Sequence, residues 1–278
     1  MGSLPPWFSS FCDLGSDRLQ VLVRVLHAAG LPVELVKTGD HRHVQVRAGR
    51  PPVPVPGEKV LVAHYDRVPG APGANDNGAS VLALVDYLRR PRRGAALRVV
   101  FTDGEELGPG ASASDQGAFS LATHWGPIAG VVPVVFDMTG IGDTLVLGHL
   151  GEHLVRRTGA VSTPTDLDTY ARNRLVARRW LASCGAGDTL EVNTPFSDDL
   201  GFSLAGMPAV QVSLLPRKEA LAYRRTRTNP GELEGRDPGG LPPSWQTMHT
   251  PDDTPDRLWP SSRDLMARVL DRLEGFPF

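Results

Sequence analysis

Short apolar segments alternate with segments of helical periodicity through the middle of this chain. Lys59–Ala63 (KVLVA), Leu97–Phe101 (LRVVF) and Gly130–Phe136 (GVVPVVF) are predicted as buried strands, with helices between them. A strand that is apolar on both faces needs a covering layer on each side, as in the parallel sheets of α/β proteins. We therefore predict an α/β fold with three layers, α/β/α, around a central mixed, mostly parallel sheet.

The remaining predicted elements continue this alternation. They are helices at Asp17–Ala29, Ala79–Leu88, Ser114–Trp125, Leu167–Ala182, 198–205 and Ser261–Leu273, and strands at Pro32–Val36, Val44–Val46, Thr144–Leu147 and Pro208–Leu214. Residues Pro216–Pro243 are rich in Gly, Pro and Arg without a clear period, so we predict a long irregular loop at 216–243. A length of 278 residues is within the range of one large α/β domain, and we predict a single domain over 1–278.

Composition and charge argue against several classes of partner. Hydrophobic residues make up 41% and charged residues 22%, as in ordinary soluble proteins, and the net charge is −2 at pH 7. Nucleic-acid-binding domains are usually markedly basic, so we predict no nucleic-acid partner. No segment approaches the ~20 apolar residues of a membrane span, and the N-terminus lacks the pattern of a signal peptide. We therefore predict a cytoplasmic protein without membrane contact; the composition does not bear on its oligomeric state.

Several familiar metal and cofactor motifs fit this chain poorly. The cysteines, Cys12 and Cys184, form no CxxC pair, which excludes a thiolate zinc site and indicates free thiols, with one disulfide as the alternative. Two histidine pairs, His41 with His43 and His149 with His153, could bind a metal, but the second lacks the HExxH order. Gly108–Ala113 only loosely resembles a dinucleotide-binding loop, and no GxSxG motif is present.

Residues of metal-ligand type stand directly after each of the three apolar strands. They are His64, Tyr65 and Asp66 after the first strand, Asp103, Glu105 and Glu106 after the second, and Asp137 after the third. Ligands of α/β sheets bind at the carboxyl ends of the strands, so we expect these side chains to converge there. A Gly-rich loop, Gly70–Gly78, adds Asp76, and the segment Met248–Asp253 adds His249 beside acidic residues.

This set of side chains suits zinc. Zinc takes imidazole nitrogen and carboxylate oxygen at about 2.0–2.2 Å. Two zinc ions can lie about 3.5–4 Å apart when a carboxylate bridges them. Three ligating carboxylates and a bound hydroxide would balance the charge of both ions, so the sequence can supply a site for two.

Several segments, in order, resemble the M28 family of co-catalytic zinc peptidases, which includes bacterial aminopeptidases. They are His64-Tyr65-Asp66, Gly73–Gly78 (GANDNG), Asp103–Gly108 (DGEELG), Asp137, Ser197-Asp198-Asp199 with Ala205–Pro208 (AGMP), and His249–Asp253 (HTPDD). The resemblance covers roughly residues 59 to 257 and implies a zinc-exopeptidase-like fold. Each segment alone is a weak indication, and their common order makes it strong.

The resemblance implies two adjacent zinc sites that share one carboxylate. Asp76 would bridge both ions. His64 and Asp137 would complete one site, and Glu106 and His249 the other. Each residue also has a structural alternative: a turn residue for Asp76, a core histidine for His64, a strand-end cap for Asp137, a helix start for Glu106 and a loop histidine for His249.

The same resemblance implies roles for two further acids. Glu105 would be the general base that takes a proton from the bridging water. Asp66 would accept the second ring N–H of His64, as metal-bound imidazoles usually require. It also implies a cis peptide bond between Asp76 and Asn77. Ser197-Asp198 would either cap the helix at 198–205 or form a wall of the site.

The predicted function is a dizinc metallo-aminopeptidase that hydrolyses the N-terminal bond of a peptide substrate. The alternative is an acyltransferase similar to glutaminyl cyclases, which share the fold, keep one zinc and close the ring of an N-terminal Gln. A third possibility is a non-catalytic binding protein on the same fold, and the intact Glu105 argues against it.

Overall fold

The computed structural model describes residues 3–47, 51–90, 97–126, 128–148, 164–185, 189–226, 240–273 and 275–276. Its helices are α1 (Pro6–Cys12), α2 (Arg18–Ala28), α3 (Ala79–Leu88), α4 (Gly117–Trp125), α5 (Pro164–Ala182), α6 (Asp198–Leu204), α7 (Arg217–Thr226) and α8 (Pro260–Leu273). Its strands are β1 (Val33–Thr38), β2 (His41–Val46), β3 (Lys59–His64), β4 (Leu97–Thr102), β5 (Val132–Phe136), β6 (Thr144–Gly148), β7 (Leu190–Val192) and β8 (Val210–Leu215).

The strands of the described residues form one sheet in the order β1-β2-β4-β3-β5-β8-β6-β7. The central strand β3 pairs in parallel with β4 and β5, and β8 continues the parallel arrangement beyond β5. The pairs β1–β2, β2–β4 and β6–β8 are antiparallel, whereas β6–β7 is parallel. The predicted mixed, mostly parallel sheet is therefore confirmed.

Helices cover both faces of this sheet because successive side chains of a buried strand point in opposite directions. In β3, Leu61 faces the core formed with α1, α2, α3, α5 and α8. The neighbouring Val60 and Val62 face the other core, where Leu121 of α4 and Phe202 of α6 pack. Full burial of each such side chain contributes about 1.5–3 kcal/mol to the stability of the fold. The arrangement is the predicted three-layer α/β/α fold.

The predicted irregular loop at 216–243 is wrong for its first part, where α7 spans Arg217–Thr226. Ala220 and Tyr223, three residues apart, are buried against Trp245 and the β6–β7 end of the sheet. Charged residues occupy most other positions of this helix, so the sequence shows no clear helical period of apolar residues there. Residues 227–239 of the predicted loop lie outside the described residues.

Two further elements were not predicted, namely α1 and β7. In α1, Phe8 and Phe11 are fully buried beneath α2, although the segment is only seven residues long. Cys12 and Cys184 are both buried free thiols, as expected. Within the described ranges, no helix combines the length and apolarity needed to cross a bilayer.

Candidate metal centre

Three adjacent parallel strands deliver the predicted side chains to one edge of the sheet. β4, β3 and β5 lie side by side, so their carboxyl ends meet. His64 is the last residue of β3, and Asp137 directly follows β5. Glu105 and Glu106 lie in the short turn after β4, where Gly104 adopts a φ of +74°. The chain thus places a histidine and three carboxylates around the end of its central strand.

The loop between β3 and α3 carries Asp76 into the same region. It ends in a tight turn, Ala74–Gly78, entered through Gly73 at a φ of +60°. A Cβ at Gly73 would lie 2.6 Å from the backbone oxygen of Asp76, so only glycine fits there. The peptide bond between Asp76 and Asn77 is cis, as the resemblance implies.

The two carboxylate oxygens of Asp76 face two different imidazoles. Asp76 Oδ1 lies 3.3 Å from His64 Nε2, and Asp76 Oδ2 lies 3.2 Å from His249 Nε2. Each Nε2 atom has one further carboxylate beside it, Asp137 Oδ1 at 3.8 Å from His64 Nε2 and Glu106 Oε2 at 2.9 Å from His249 Nε2. This symmetry matches a carboxylate that bridges two metal ions.

The chemistry of these atoms fits a metal. One ligand atom from each of His64, Asp76 and Glu106 lies within 4.8 Å of the others. Within the described chain, His64 Nε2 and Asp137 Oδ1 are buried without a hydrogen-bond partner. Buried polar groups are normally paired, so atoms left unpaired at one point indicate a ligand for them. Nitrogen and carboxylate oxygen together are the donor set that zinc prefers.

Asp66 connects the two strand ends that flank the site. Its Oδ1 lies 3.4 Å from His64 Nδ1, on the side of the ring opposite Asp76. Its Oδ2 accepts a hydrogen bond of 3.0 Å from the backbone N–H of Glu106. Asp66 therefore lies behind His64, and it also fixes the turn that carries Glu106.

The concentration of acids shapes the electrostatics of the site. Burial raises the pKa of Glu105 well above its usual value, and the charges of Glu106 and Asp137 add to the increase. Burial alone would lower the pKa of His64, but its contacts with Asp137, Asp66 and Asp76 raise that pKa well above 6.5. Divalent cations would relieve the repulsion among these carboxylates.

A buried polar group behind Glu105 was not predicted as part of the site. Gln116, at the N-terminus of α4, is fully buried, and its Nε2 donates to Glu105 Oε1 over 3.4 Å and to the backbone oxygen of Ser197 over 3.5 Å.

Asp198 is fully buried and accepts a 2.5 Å hydrogen bond from Thr102 Oγ1. Ser197 makes no side-chain cap on α6, which favours the wall interpretation of this segment.

Asp253 is a second residue whose part in the site the sequence did not reveal. Its carboxylate accepts the backbone N–H groups of Asn75 at 2.8 Å and Asp76 at 2.9 Å. Its backbone oxygen accepts the N–H of Ala74 at 3.0 Å. The segment that carries His249 therefore also holds the backbone of the Asp76 turn.

Of the two alternative histidine pairs, His41 and His43 are not part of this cluster. His43 Nε2 lies 2.9 Å from Thr38 Oγ1, and His43 Nδ1 accepts the backbone N–H of Asp103 at 3.3 Å, so its polar atoms are used within the fold. His41 Nε2 lies 3.2 Å from the backbone oxygen of Asp115. His149 and His153 lie outside the described residues.

Comparison with known proteins agrees with this geometry. Residues 52–273, which include all of the predicted site residues, match Peptidase family M28. The chain belongs to this family. It is thus related to metallohydrolase-type enzymes, and zinc is the metal that the family implies. A search of curated proteins found no match to this M28 chain.

Solved structures with this fold include cyclases as well as peptidases. A glutaminyl cyclase from Porphyromonas gingivalis has 17% identity and a TM-score of 0.64, with coverage of 98% of this chain and 99% of the cyclase. The LapA aminopeptidase of Legionella pneumophila has 15% identity and a TM-score of 0.61, with coverage of 98% and 70%. The zinc aminopeptidase BSAP of Bacillus subtilis has 17% identity and a TM-score of 0.51, with coverage of 83% and 48%. At these identities the similarity shows the fold alone.

Proposed function

We propose that this M28 protein is a dizinc metallo-aminopeptidase that hydrolyses the N-terminal bond of peptides. The observation that carries the proposal is the position of Asp76 between His64 and His249, with one oxygen toward each. Asp137 and Glu106 give each half of the site its own second carboxylate. A set for a single metal would not need carboxylates on both sides of a shared one.

The proposed chemistry divides between the metal and the chain. Bound zinc supplies a polarised carbonyl and a water whose pKa is lowered towards ~7. We assign Glu105, which adjoins Glu106 in the turn after β4, the role of accepting a proton and returning it to the leaving amine. Gln116 orients the Glu105 carboxylate from behind, and Asp66 holds the ring of His64.

The second candidate is a glutaminyl-cyclase-like acyltransferase. One observation favours it: the chain covers 99% of a glutaminyl cyclase but 70% and 48% of the two aminopeptidases. Coverage compares only the lengths of the chains, whereas the reaction depends on the residues of the site. We therefore rank the peptidase first on the geometry around Asp76.

A panel of aminoacyl reporter substrates tests the proposal directly. The zinc-loaded protein should release the reporter from substrates with a free amine, and both a chelator and N-terminal blocking should abolish release. Equal hydrolysis of blocked and free substrates would contradict an aminopeptidase. A Gln-initiated peptide in the same panel tests the second candidate, since ring closure with release of ammonia and no reporter hydrolysis would favour the cyclase.

A further inference from the structure

Arg18 is a buried arginine in a part of the chain that precedes the family match. It is the first residue of α2, whereas the M28 match begins at residue 52. Only 5% of its surface is exposed, and it stands in line with the buried Leu22 and Leu26 of the same helix. Burial of a charged side chain among apolar residues costs free energy unless its polar atoms make hydrogen bonds.

The guanidinium of Arg18 is satisfied by backbone oxygens of the loop that follows β3 and of helix α1. Nη1 donates to the oxygens of Tyr65 at 3.1 Å and Asp66 at 2.9 Å. Nη2 donates to the oxygens of Pro72 and Gly73, both at 2.6 Å. Nε donates to Phe11 O at 3.1 Å, and the guanidinium carbon lies 4.3 Å from the centre of the Phe11 ring.

These contacts join the two ends of one functional loop. Tyr65 and Asp66 directly follow His64, while Pro72 and Gly73 directly precede the turn that carries Asp76. One guanidinium therefore fixes the exit of β3 relative to the entry of the Asp76 turn. Gly73 leaves the space that this requires, because a Cβ there would lie 2.7 Å from Arg18 Nη2.

We propose that Arg18 is a positioning residue that sets the spacing of His64 and Asp76, so that the N-terminal α1–α2 segment completes the metal site. The proposal rests on the dizinc function proposed above. Arginine suits this task because its planar fork aims several N–H donors at once, whereas a lysine ammonium is a flexible point charge. Substitution of a residue that supports a metal ligand typically lowers metal affinity or activity by about 10–100-fold.

The test compares Arg18→Met and Arg18→Lys with Arg24→Met, a matched control on the exposed side of α2. Zinc affinity of the metal-free full-length proteins is measured by competition with a chromogenic chelator. Arg18→Met should weaken zinc binding by about 10–100-fold, and Arg24→Met should not change it. Arg18→Lys keeps the charge without the fork, so it should fold and still lose affinity, and it decides the test if Arg18→Met does not fold.

Wild-type zinc affinity in Arg18→Lys would overturn the proposal, because charge and bulk alone would then suffice. Failure of the wild-type protein to bind zinc would instead overturn the proposed function. A merely structural role is separated by urea unfolding of the metal-free proteins. If Arg18→Lys loses zinc affinity only to the extent that its metal-free fold is already unfolded under assay conditions, Arg18 is no positioning residue.

Discussion

The carboxylate of Asp76 is the point on which the other site residues converge. His64 lies against one oxygen of this carboxylate and His249 against the other. The carboxylate of Asp253 accepts a hydrogen bond from the backbone N–H of Asp76. His249 itself adopts a φ of +62°, a conformation that costs free energy in a non-glycine residue. Such an arrangement persists only where surrounding contacts hold it, and the imidazole of His249 lies against Asp76 and Glu106 of the candidate metal centre.

Glu105→Gln tests the general base. The substitution keeps the size of the side chain and removes its ability to accept a proton, so kcat should fall by about 10²–10⁴-fold. Zinc content should stay at the wild-type value, because Glu105 is not among the proposed ligands. Kinetics with the best reporter substrate, together with elemental analysis of the same samples, provide the measurement; unchanged kcat would remove Glu105 from the mechanism.

Asp253→Asn tests the support behind Asp76. The amide can accept only one of the two N–H groups that the carboxylate accepts from Asn75 and Asp76, so zinc affinity should fall by about 10–100-fold. The exposed neighbour offers a matched control, since Asp252→Asn makes the same change without these contacts. Chelator competition measures both, and equal affinities in the two variants would contradict the assigned support.

At the scale of elements, the ends of β3, β4 and β5 could be predicted and the groups behind them could not. His64, Glu106 and Asp137 lie at or shortly after the ends of apolar strands, so local pattern and the geometry of parallel sheets are enough to bring them together. Arg18 and Asp198 act through partners far away in the chain, Tyr65 and Thr102, and no local period indicates such contacts. For Arg18, its alignment with Leu22 and Leu26 was the available indication of burial.

The buried His43 of β2 makes the stability of the fold depend on pH. Burial lowers the pKa of His43 from 6.5 to about 3, with His41 adding to the effect. The unfolded chain thus binds the proton first, so this contribution to stability is complete above pH ~6.5 and is lost as the pH falls towards 3, by up to about 1.4 kcal/mol per pH unit. The substitution His43→Gln should make the free energy of unfolding depend less on pH in this range.

The measurement is urea unfolding between pH 7 and pH 5 with a chelator present, so that loss of metal does not contribute. His27→Gln, on the exposed side of α2, is the control and should keep the wild-type slope. If His43→Gln also keeps that slope, His43 is not a buried neutral histidine.

At the scale of the whole molecule, the metal centre draws on most of the chain. Its groups come from α2, from the ends of β3, β4 and β5, from α6 and from the segment before α8. The family pattern covers roughly residues 59 to 257, so it includes the proposed ligands but not the N-terminal helices. The helix α7 escaped prediction for a different reason, since only Ala220, Tyr223 and their neighbours mark its buried side.

Metal should therefore stabilise the whole fold. A ligand that binds only the folded state stabilises it by about 2.7 kcal/mol at a free concentration of 100 times its Kd. Chelation should lower Tm by several degrees, and zinc should restore it. Calorimetry of the wild type and of His249→Ala makes the comparison, in which the variant should lose much of the zinc-dependent shift; a Tm independent of chelator would contradict a structural link to zinc.

Anomalous diffraction at the zinc absorption edge, from crystals of the zinc-loaded protein, tests the central claim most directly. We predict two peaks about 3.5–4 Å apart, one on each side of the Asp76 carboxylate. One peak should lie beside His64 and Asp137, and the other beside Glu106 and His249. A single peak, or peaks remote from Asp76, would contradict the dizinc account.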